Sequence, residues 1–182
     1  MNYKYYLKFW LKQNKNELIT ESCPTVFEVN WDELKRKGTE LLVFDVDDTL
    51  CGHQDNITEK SIKLLKDLQS KGFKIAFFSN TKNERKQVKK VAKDFNIFVF
   101  LNSDKPNPTN LGVVLSEMKM KSSQCAVIGD KVSTDLFTAY QIGIPNRILI
   151  TKPYSEVYGG HRPGIVYRLM REIDNFFATS IK

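Results

Sequence analysis

The chain has 182 residues, of which 41% are hydrophobic and 27% charged, and its formal net charge is +7. This length and composition predict one ordinary globular domain with a substantial core, and the spread positive charge suits anionic partners without naming one. The three cysteines, Cys23, Cys51 and Cys125, are far apart and form no Cys-x-x-Cys pair, which argues against a disulfide framework or a zinc site.

The N-terminal segment, residues 1–24, is interpreted as separate from a main domain at residues 25–182. Within it, residues 3–11 place lysines along one arc of a helical wheel and aromatic and leucine side chains off that arc. Such a helix can lie in a membrane interface or pack on the domain, and the pattern leaves both alternatives open. Because lysines interrupt the apolar residues, we expect no signal peptide. The sequence also has no apolar stretch near the roughly 20 residues of a membrane span.

Beyond this segment, strand-like and helix-like patterns alternate along the chain. Strands are predicted at 41–45, 73–78, 97–101, 124–128 and 147–150, and helices at 58–70, 83–95, 108–119, 133–141 and 165–177. The first of these helices has Thr58 as its expected cap and Gly72 after its end. Alternation with short connections predicts an α/β fold, namely a doubly wound parallel sheet with helices on both faces.

The predicted helix at 83–95 carries a dense run of basic side chains, with Lys82 just before it. A charge run of this kind is usually a solvated helix face, and we interpret it in that way. Because Lys82 closely follows Ser79, at the end of a predicted strand, we expect it to help attract anions.

Polar and charged residues directly follow four of the predicted strands. They are Asp45 and Asp47 after the first strand, Ser79 and Asn80 after the second, Lys105 after the third, and Asp130 and Asp135 after the fourth. In a doubly wound sheet, ligands bind outside the carboxyl ends of the strands. We therefore expect these side chains to form one site.

The acids at the first strand end require a compensating group. Carboxylates about 4 Å apart repel by roughly 4 kcal/mol at an effective dielectric near 20, so a proton, a lysine or a metal ion must offset the repulsion. Oxygen ligands at strand ends suit Mg2+, which also binds phosphate oxygens. Asp45 and Asp130 are the expected carboxylate ligands of this ion.

The same residues permit phosphoryl transfer. Asp45 is a candidate nucleophile that would form an aspartyl-phosphate, and Asp47 lies on the same side of an extended strand, where it could act as acid and base. The Ser79 hydroxyl, with backbone N–H groups near Asn80, and the compact charge of Lys105 are suited to phosphoryl oxygens.

The order of these motifs resembles the haloacid dehalogenase (HAD) phosphotransferases. The motifs are Asp45-x-Asp47-x-Thr49, then Ser79, then Lys105-Pro106, then Gly129-Asp130 with Asp135. Across roughly residues 25–178, the chain is most similar to subfamily III-A, with its YqeG-type proteins and the related mitochondrial phosphatidylglycerophosphate phosphatases. This resemblance implies a Mg2+-dependent phosphatase with a HAD-like core.

The resemblance also implies a role for each site residue. Asp45 would be the nucleophile, Asp47 the acid and base and, through its backbone carbonyl, a metal ligand. Ser79, Asn80 and Lys105 would bind phosphate, Asp130 would hold the metal, and Thr49 and Asp135 would support the site. Asp48 and Lys131 depart from the YqeG-type pattern, which usually has Asn and Gln there, so the subgroup and the substrate stay open.

No cap domain is expected. The stretches from Asp45 to Ser79 and from Ser79 to Lys105 are each just long enough for one helix and one strand, which leaves no room for an inserted cap. An open site suits a phosphate on a large molecule or at a membrane surface, although a second subunit could cover it.

Other residues near the motifs receive simpler interpretations. A thiol phosphatase built on Cys51 would need an arginine six residues later, where Ile57 stands. His53 and His161 are interpreted as solvated loop residues, with His161 and Arg162 as candidates for contact with a substrate head group.

The sequence therefore predicts a cytoplasmic phosphomonoesterase, either free or peripheral on the inner face of the membrane. Phosphatidylglycerophosphate is the expected substrate, given the resemblance, the missing cap and the aromatic-basic N-terminus. A phosphatase of soluble sugar, nucleotide or phosphoprotein substrates is the second hypothesis. A nucleic-acid-associated binding module is the third, and it is disfavoured because no aromatic-basic readout motif accompanies the charge.

Overall fold

The computed structural model describes residues 3–12, 14–81 and 84–179, and these residues form a six-stranded parallel sheet with helices on both faces. The predicted α/β class is confirmed. The strands are β1 (Glu21–Cys23), β2 (Leu41–Phe44), β3 (Lys74–Ser79), β4 (Phe98–Leu101), β5 (Cys125–Gly129) and β6 (Asn146–Ile150).

The helices follow the strands in alternation. They are α1 (Tyr3–Leu11), α2 (Trp31–Arg36), α3 (Glu59–Ser70), α4 (Lys86–Asp94), α5 (Thr109–Glu117), α6 (Phe137–Gln141), α7 (Tyr154–Val157) and α8 (Ile165–Thr179). Short 3₁₀ turns cover Lys15–Leu18, Val26–Glu28 and Ser122–Gln124, and a π turn at Val132–Leu136 leads into α6. Thr58 caps α3 as predicted, accepting a hydrogen bond from the Ser61 N–H, and Gly72 follows α3 with φ of +80°.

Three short elements were missed by the sequence analysis. The strand β1 lies inside the predicted N-terminal segment and pairs in parallel with β6 at the edge of the sheet, with Ser22 opposite Leu149. The helices α2 and α7 have six and four residues. A periodic hydrophobic pattern needs a longer window than these elements offer, which explains why they were missed.

The strand order is β1-β6-β5-β2-β3-β4, and every pairing is parallel. From β2 the chain moves outward through β3 and β4, then returns to the other side of β2 for β5 and β6. The direction of winding therefore reverses between β2 and β5, and a crevice opens at their carboxyl ends. This crevice is where the site residues are expected.

Side chains of β2 alternate between two cores. Leu42 and Phe44 pack in a cluster with residues of α2, α3 and α4 on one face of the sheet. Leu41 and Val43 pack with residues of α5 on the other face. The strand is fully buried, as the continuous apolar run predicts for the centre of a parallel sheet.

The N-terminal helix α1 packs on the domain through one side chain in particular. Phe9 is fully buried, and its ring makes an edge contact with Phe137, with centroids 5.6 Å apart. Tyr3, Leu7 and Leu11 of the same helix stay exposed. Within the described residues, no helix has the combination of length and apolar character needed to cross a membrane.

Core packing predicts a sharp contrast between two leucines. Leu65 of α3 is fully buried, whereas Leu169 of α8 is 52% exposed. We expect Leu65→Ala to lower the free energy of unfolding by about 2–5 kcal/mol because it leaves a cavity. Leu169→Ala is the matched control and should change it by no more than about 0.5 kcal/mol. Urea denaturation of both variants measures this, and equal effects would contradict the assigned core.

Candidate active site

A cleft of about 440 Å³ lies at the carboxyl ends of the central strands and is called here the strand-end cleft. Every predicted site residue except Thr49 lines it, namely Asp45, Asp47, Ser79, Asn80, Lys105, Asp130 and Asp135. Loops after four separate strands thus deliver their side chains to one place. This arrangement follows from the parallel sheet, whose strand ends share one edge.

The centre of the cleft is a buried lysine between two carboxylates. The Lys105 Nζ donates to Asp45 Oδ1 and to Asp135 Oδ1, both at 2.6 Å, and to the Phe78 carbonyl at 2.9 Å. Burial alone would lower the pKa of Lys105, but attraction to Asp135 and Asp45 outweighs burial and raises it. Burial raises the pKa of Asp45, while Lys105 opposes that shift. The lysine therefore stays positively charged. Its charge offsets part of the repulsion between the neighbouring carboxylates, as the sequence predicts.

The third acid of the centre is Asp130, at the end of β5. Ligand oxygens from Asp45, Asp130 and Asp135 all lie within 4.8 Å of one another. The Asp130 Oδ2 is buried and accepts no hydrogen bond, and burial together with Asp135 and Asp45 raises the pKa of this carboxyl well above its ordinary value. A buried carboxylate oxygen that accepts no hydrogen bond, in an all-oxygen set, fits a hard divalent cation.

Gly129 allows Asp135 to approach. A Cβ placed on Gly129 would lie 2.5 Å from the Asp135 Cγ and Oδ2, far inside van der Waals contact. The Asp135 carboxylate also accepts from the Lys131 N–H at 3.1 Å and holds Lys105. A side chain at position 129 would therefore push this carboxylate away from the lysine.

The Asp47 carboxylate is held by Arg85, which belongs to the basic run that was interpreted as a solvated helix face. The Arg85 Nη1 donates to Asp47 Oδ1 at 2.7 Å, and the Gln54 N–H donates to the same oxygen at 2.7 Å. Arg85 is 8% exposed and also donates to the Asp55 carbonyl. The interpretation of the whole basic run as a solvated face was wrong for this residue. Lys82 and residue 83, where the helix was predicted to begin, lie outside the described residues.

Asn80 uses its side chain to hold the loop that carries Lys105. Its Oδ1 accepts from the Lys105 N–H at 2.7 Å and from the Ser103 hydroxyl at 2.8 Å, and its Nδ2 donates to the Lys105 carbonyl at 3.0 Å. Ser79 is buried at the end of β3, and its hydroxyl accepts from the Thr81 N–H at 3.4 Å. The two residues therefore differ, since Asn80 orders the lysine loop while Ser79 keeps its hydroxyl at the wall of the cleft.

The two remaining residues of the first motif, Asp48 and Thr49, are buried beside its loop. Asp48 has φ of 57°, and its Oδ1 accepts from the Ser155 hydroxyl at 2.6 Å while its carbonyl accepts from the Tyr154 N–H at 2.8 Å. Burial raises the pKa of Asp48. Thr49 is also buried, with a hydroxyl that has no hydrogen-bond partner. Asp48 thus ties the loop after β2 to α7, and it is not among the residues that line the cleft.

Side chains from the two terminal helices also line the strand-end cleft. Tyr6 of α1 and Tyr167 and Met170 of α8 form part of its wall, together with His53. The His53 and Tyr167 rings lie 5.8 Å apart between centroids. Burial raises the pKa of Tyr6 to about 12, with a further contribution from the charge of Asp174. The helical patterns at 3–11 and 165–177 predict these helices but carry no signal that they reach the site.

The other candidates lie outside the lining of the cleft. His161 is exposed, and its Nδ1 lies 2.5 Å from Asp55 Oδ1, while Arg162 is exposed and outside the lining of the cleft. Cys51 is buried, and burial raises the pKa of its thiol to about 12. A thiol in that state is a poor nucleophile, which agrees with the exclusion of thiol chemistry.

Known proteins share the sequence pattern and the fold. Over 166 residues the chain is 22% identical to "Probable phosphatase YqeG" of Bacillus subtilis, covering 91% of each chain. A cobalt-bound deoxy-D-mannose-octulosonate 8-phosphate phosphatase of Haemophilus influenzae has the same fold, with a TM-score of 0.54 and 16% identity over 80% of this chain and 92% of that one. An uncharacterized Listeria monocytogenes protein gives a TM-score of 0.52 and 16% identity over 65% and 94%.

Within the described residues, a parallel sheet gathers Asp45, Asp47, Ser79, Lys105 and Asp130 at its carboxyl edge and carries no added cap domain, which agrees with the HAD-type phosphatase that the motifs resemble. The protein is thus a phosphoric monoester hydrolase. Residues 11–153 match the family model described as mitochondrial PGP phosphatase, and the chain belongs to that family, with YqeG as a relative. The resemblance noted in the sequence is confirmed.

The close approach at Gly129 gives a matched pair of glycine substitutions. Gly129→Ala should displace Asp135 and lower kcat by roughly 10–100-fold, because small misplacements of site groups have large kinetic effects. Gly112 lies in α5 with open space where a Cβ would be, so Gly112→Ala should keep full activity and stabilise the protein by up to about 1 kcal/mol. Steady-state kinetics and thermal melts distinguish them, and full activity in Gly129→Ala would refute the assigned role of this contact.

Proposed function

We propose that the protein is a Mg2+-dependent phosphomonoester hydrolase that acts through an aspartyl-phosphate on Asp45. The observation that carries this proposal is the Asp45 carboxylate, held 2.6 Å from Lys105 in the same cluster as Asp130 and Asp135. The cluster offers carboxylate oxygens from Asp45 and Asp130, and oxygen ligands suit Mg2+. When bound, this ion would neutralise phosphate charge and hold the phosphate in line with the nucleophile.

In the proposed reaction, an Asp45 oxygen attacks phosphorus while the bond from phosphorus to the leaving oxygen breaks. Asp47 gives a proton to that oxygen and then takes one from the water that hydrolyses the aspartyl-phosphate, which releases phosphate. Arg85 and the Gln54 N–H orient the Asp47 carboxylate. Asp130, with Asp45 and the Asp47 carbonyl, would hold the metal, and Asp135 and Thr49 support this arrangement.

Phosphate binding is assigned to the wall of the cleft beside Asp45. The Ser79 hydroxyl and the Lys105 ammonium face the strand-end cleft and offer a donor and a charge to phosphoryl oxygens. Asn80 contributes through its backbone and by ordering the lysine loop, because its side chain binds Lys105 on both sides. Phosphate would therefore be held by groups that are already fixed in place.

The mechanism predicts that Asp45→Asn lowers phosphatase activity by at least about 1,000-fold, since the nucleophile is lost. Hydrolysis of p-nitrophenyl phosphate with MgCl2 measures the effect, and excess EDTA should abolish activity in the wild-type protein. Asp67→Asn on α3 is the matched control and should keep full activity. Undiminished turnover in Asp45→Asn would rule out this mechanism.

For the substrate, we propose phosphatidylglycerophosphate at a membrane surface. The family description supports this choice. So does the outer surface of the two helices that reach the cleft, because α1 exposes Leu7 and Leu11 and α8 exposes Ile165, Val166 and Leu169. Exposed apolar side chains next to a site mouth are typical of a docking surface.

The proposed orientation places α1, with residues 3–11, and the apolar side of α8 against the lipid. Lys4 and Lys8 are exposed on α1, where they would meet anionic head groups. Phosphate on a lipid would then enter past Tyr6 and Tyr167, which line the cleft. This arrangement corresponds to peripheral binding on the inner, cytoplasmic face of a membrane.

The lipid assignment predicts faster hydrolysis of phosphatidylglycerophosphate in phosphatidylcholine–phosphatidylglycerol vesicles than of soluble phosphates. Replacing Leu7 and Leu169 together by Asp should weaken vesicle binding at least about 10-fold, because two leucines lose their burial in lipid. Co-sedimentation measures binding, and p-nitrophenyl phosphate turnover by the same variant should stay unchanged.

A clear kcat/KM preference for a soluble sugar, nucleotide or peptide phosphate would reject the lipid assignment and favour the second hypothesis. Salt-sensitive nucleic-acid binding that does not depend on Asp45 would instead favour a binding module.

A further inference from the structure

The C-terminal helix α8 packs against the domain with polar residues. Arg171 and Asp174 are 4% and 3% exposed, while Ile165, Val166, Leu169 and Ile173 of the same helix are 47–67% exposed. An amphipathic helix normally buries its apolar face. The inverted packing of α8 therefore requires specific polar contacts on the inner side.

Those contacts are made with the loop that follows β5 and begins at Asp130. The Asn175 Nδ2 donates to the Asp130 carbonyl at 2.9 Å, and the Asn175 Oδ1 accepts from the Val132 N–H at 3.1 Å. One side-chain amide thus binds both ends of the short segment from 130 to 132. A two-point contact of this kind fixes the direction of the backbone that carries the Asp130 carboxylate.

Neighbouring residues of α8 bind the same loop. Asp174 accepts from the Ser133 hydroxyl and lies 3.9 Å from the Lys131 Nζ. The Arg171 Nη1 lies 3.7 Å from Asp130 Oδ2, and its Nη2 donates to Glu156 at 3.2 Å. The inner face of α8 is therefore complementary, in charge and in hydrogen bonding, to the loop after β5.

We infer that α8 is a positioning element of the metal site and that Asn175 is its principal positioning residue. By holding the Asp130 carbonyl and the Val132 N–H, Asn175 presents the Asp130 carboxylate toward Asp45 and Asp135. This inference rests on the proposed role of Asp130 as a metal ligand. The helix lies beyond residues 11–153, the part matched by the family model.

Groups that orient a metal ligand typically change metal affinity by 10–100-fold when they are removed. Asn175→Ala should therefore raise the Kd for Mg2+ about 10-fold in calorimetric titrations with MgCl2 alone. With p-nitrophenyl phosphate, the Mg2+ concentration for half-maximal rate should rise by a similar factor. At saturating Mg2+, KM and kcat should return to within about 3-fold of wild type, because no substrate contact is lost.

Two further variants complete the experiment. Ser133→Ala removes a contact between the loop and Asp174 and should weaken Mg2+ binding about 3-fold. If thermal melts show that Asn175→Ala does not fold, Ser133→Ala alone tests whether α8 positions the metal site. Glu172→Ala, on the exposed side of α8, is the control and should leave the Kd unchanged.

The result that overturns the inference is wild-type Mg2+ affinity in folded Asn175→Ala, or in Ser133→Ala if only that variant folds. Asp130→Asn separates this failure from failure of the proposed metal site. If the wild-type protein binds Mg2+ and Asp130→Asn does not, the metal site stands and the test of Asn175 is decisive. If both bind it equally, the metal-ligand role of Asp130 is wrong and the inference falls with it.

Discussion

The buried Lys105 ammonium between Asp45 and Asp135 is the interaction on which the rest of the site depends. Its two contacts of 2.6 Å join loops that follow β2, β4 and β5. Breaking a buried ion pair by removing one partner typically costs 3–5 kcal/mol, because the other charge stays buried without compensation. The lysine therefore serves two purposes, since it makes the acid cluster compatible with folding and places one cation where we propose that phosphate binds.

Several features of the surrounding structure serve this interaction. Asn80 binds the backbone of Lys105 on both sides, and Gly129 leaves the space that Asp135 occupies. The reversal of winding between β2 and β5 brings Asp45 and Asp130 to the same crevice. The sheet sets which loops meet, and local hydrogen bonds set how their side chains point.

The sequence predicted the sheet and the residues of the cleft because both follow from local patterns. A buried strand has a continuous apolar run, and a ligand site of this fold lies at strand ends. Arg85 was misassigned because its neighbours form an ordinary basic helix face, and only the tertiary structure shows its contact with Asp47. The inverted packing of α8 was equally hidden, since its hydrophobic pattern is that of any amphipathic helix.

The most direct test of the account is whether Asp45 becomes phosphorylated during turnover. In acid-quenched reactions with a labelled phosphomonoester and Mg2+, we expect hydroxylamine-sensitive label on the peptide that contains Asp45, identified by mass spectrometry. The label should be absent in Asp45→Asn and should accumulate in Asp47→Asn, where hydrolysis of the intermediate loses its base. Efficient turnover by the wild-type protein with no labelled peptide, or with label on another residue, would contradict the assignment of Asp45 as the nucleophile.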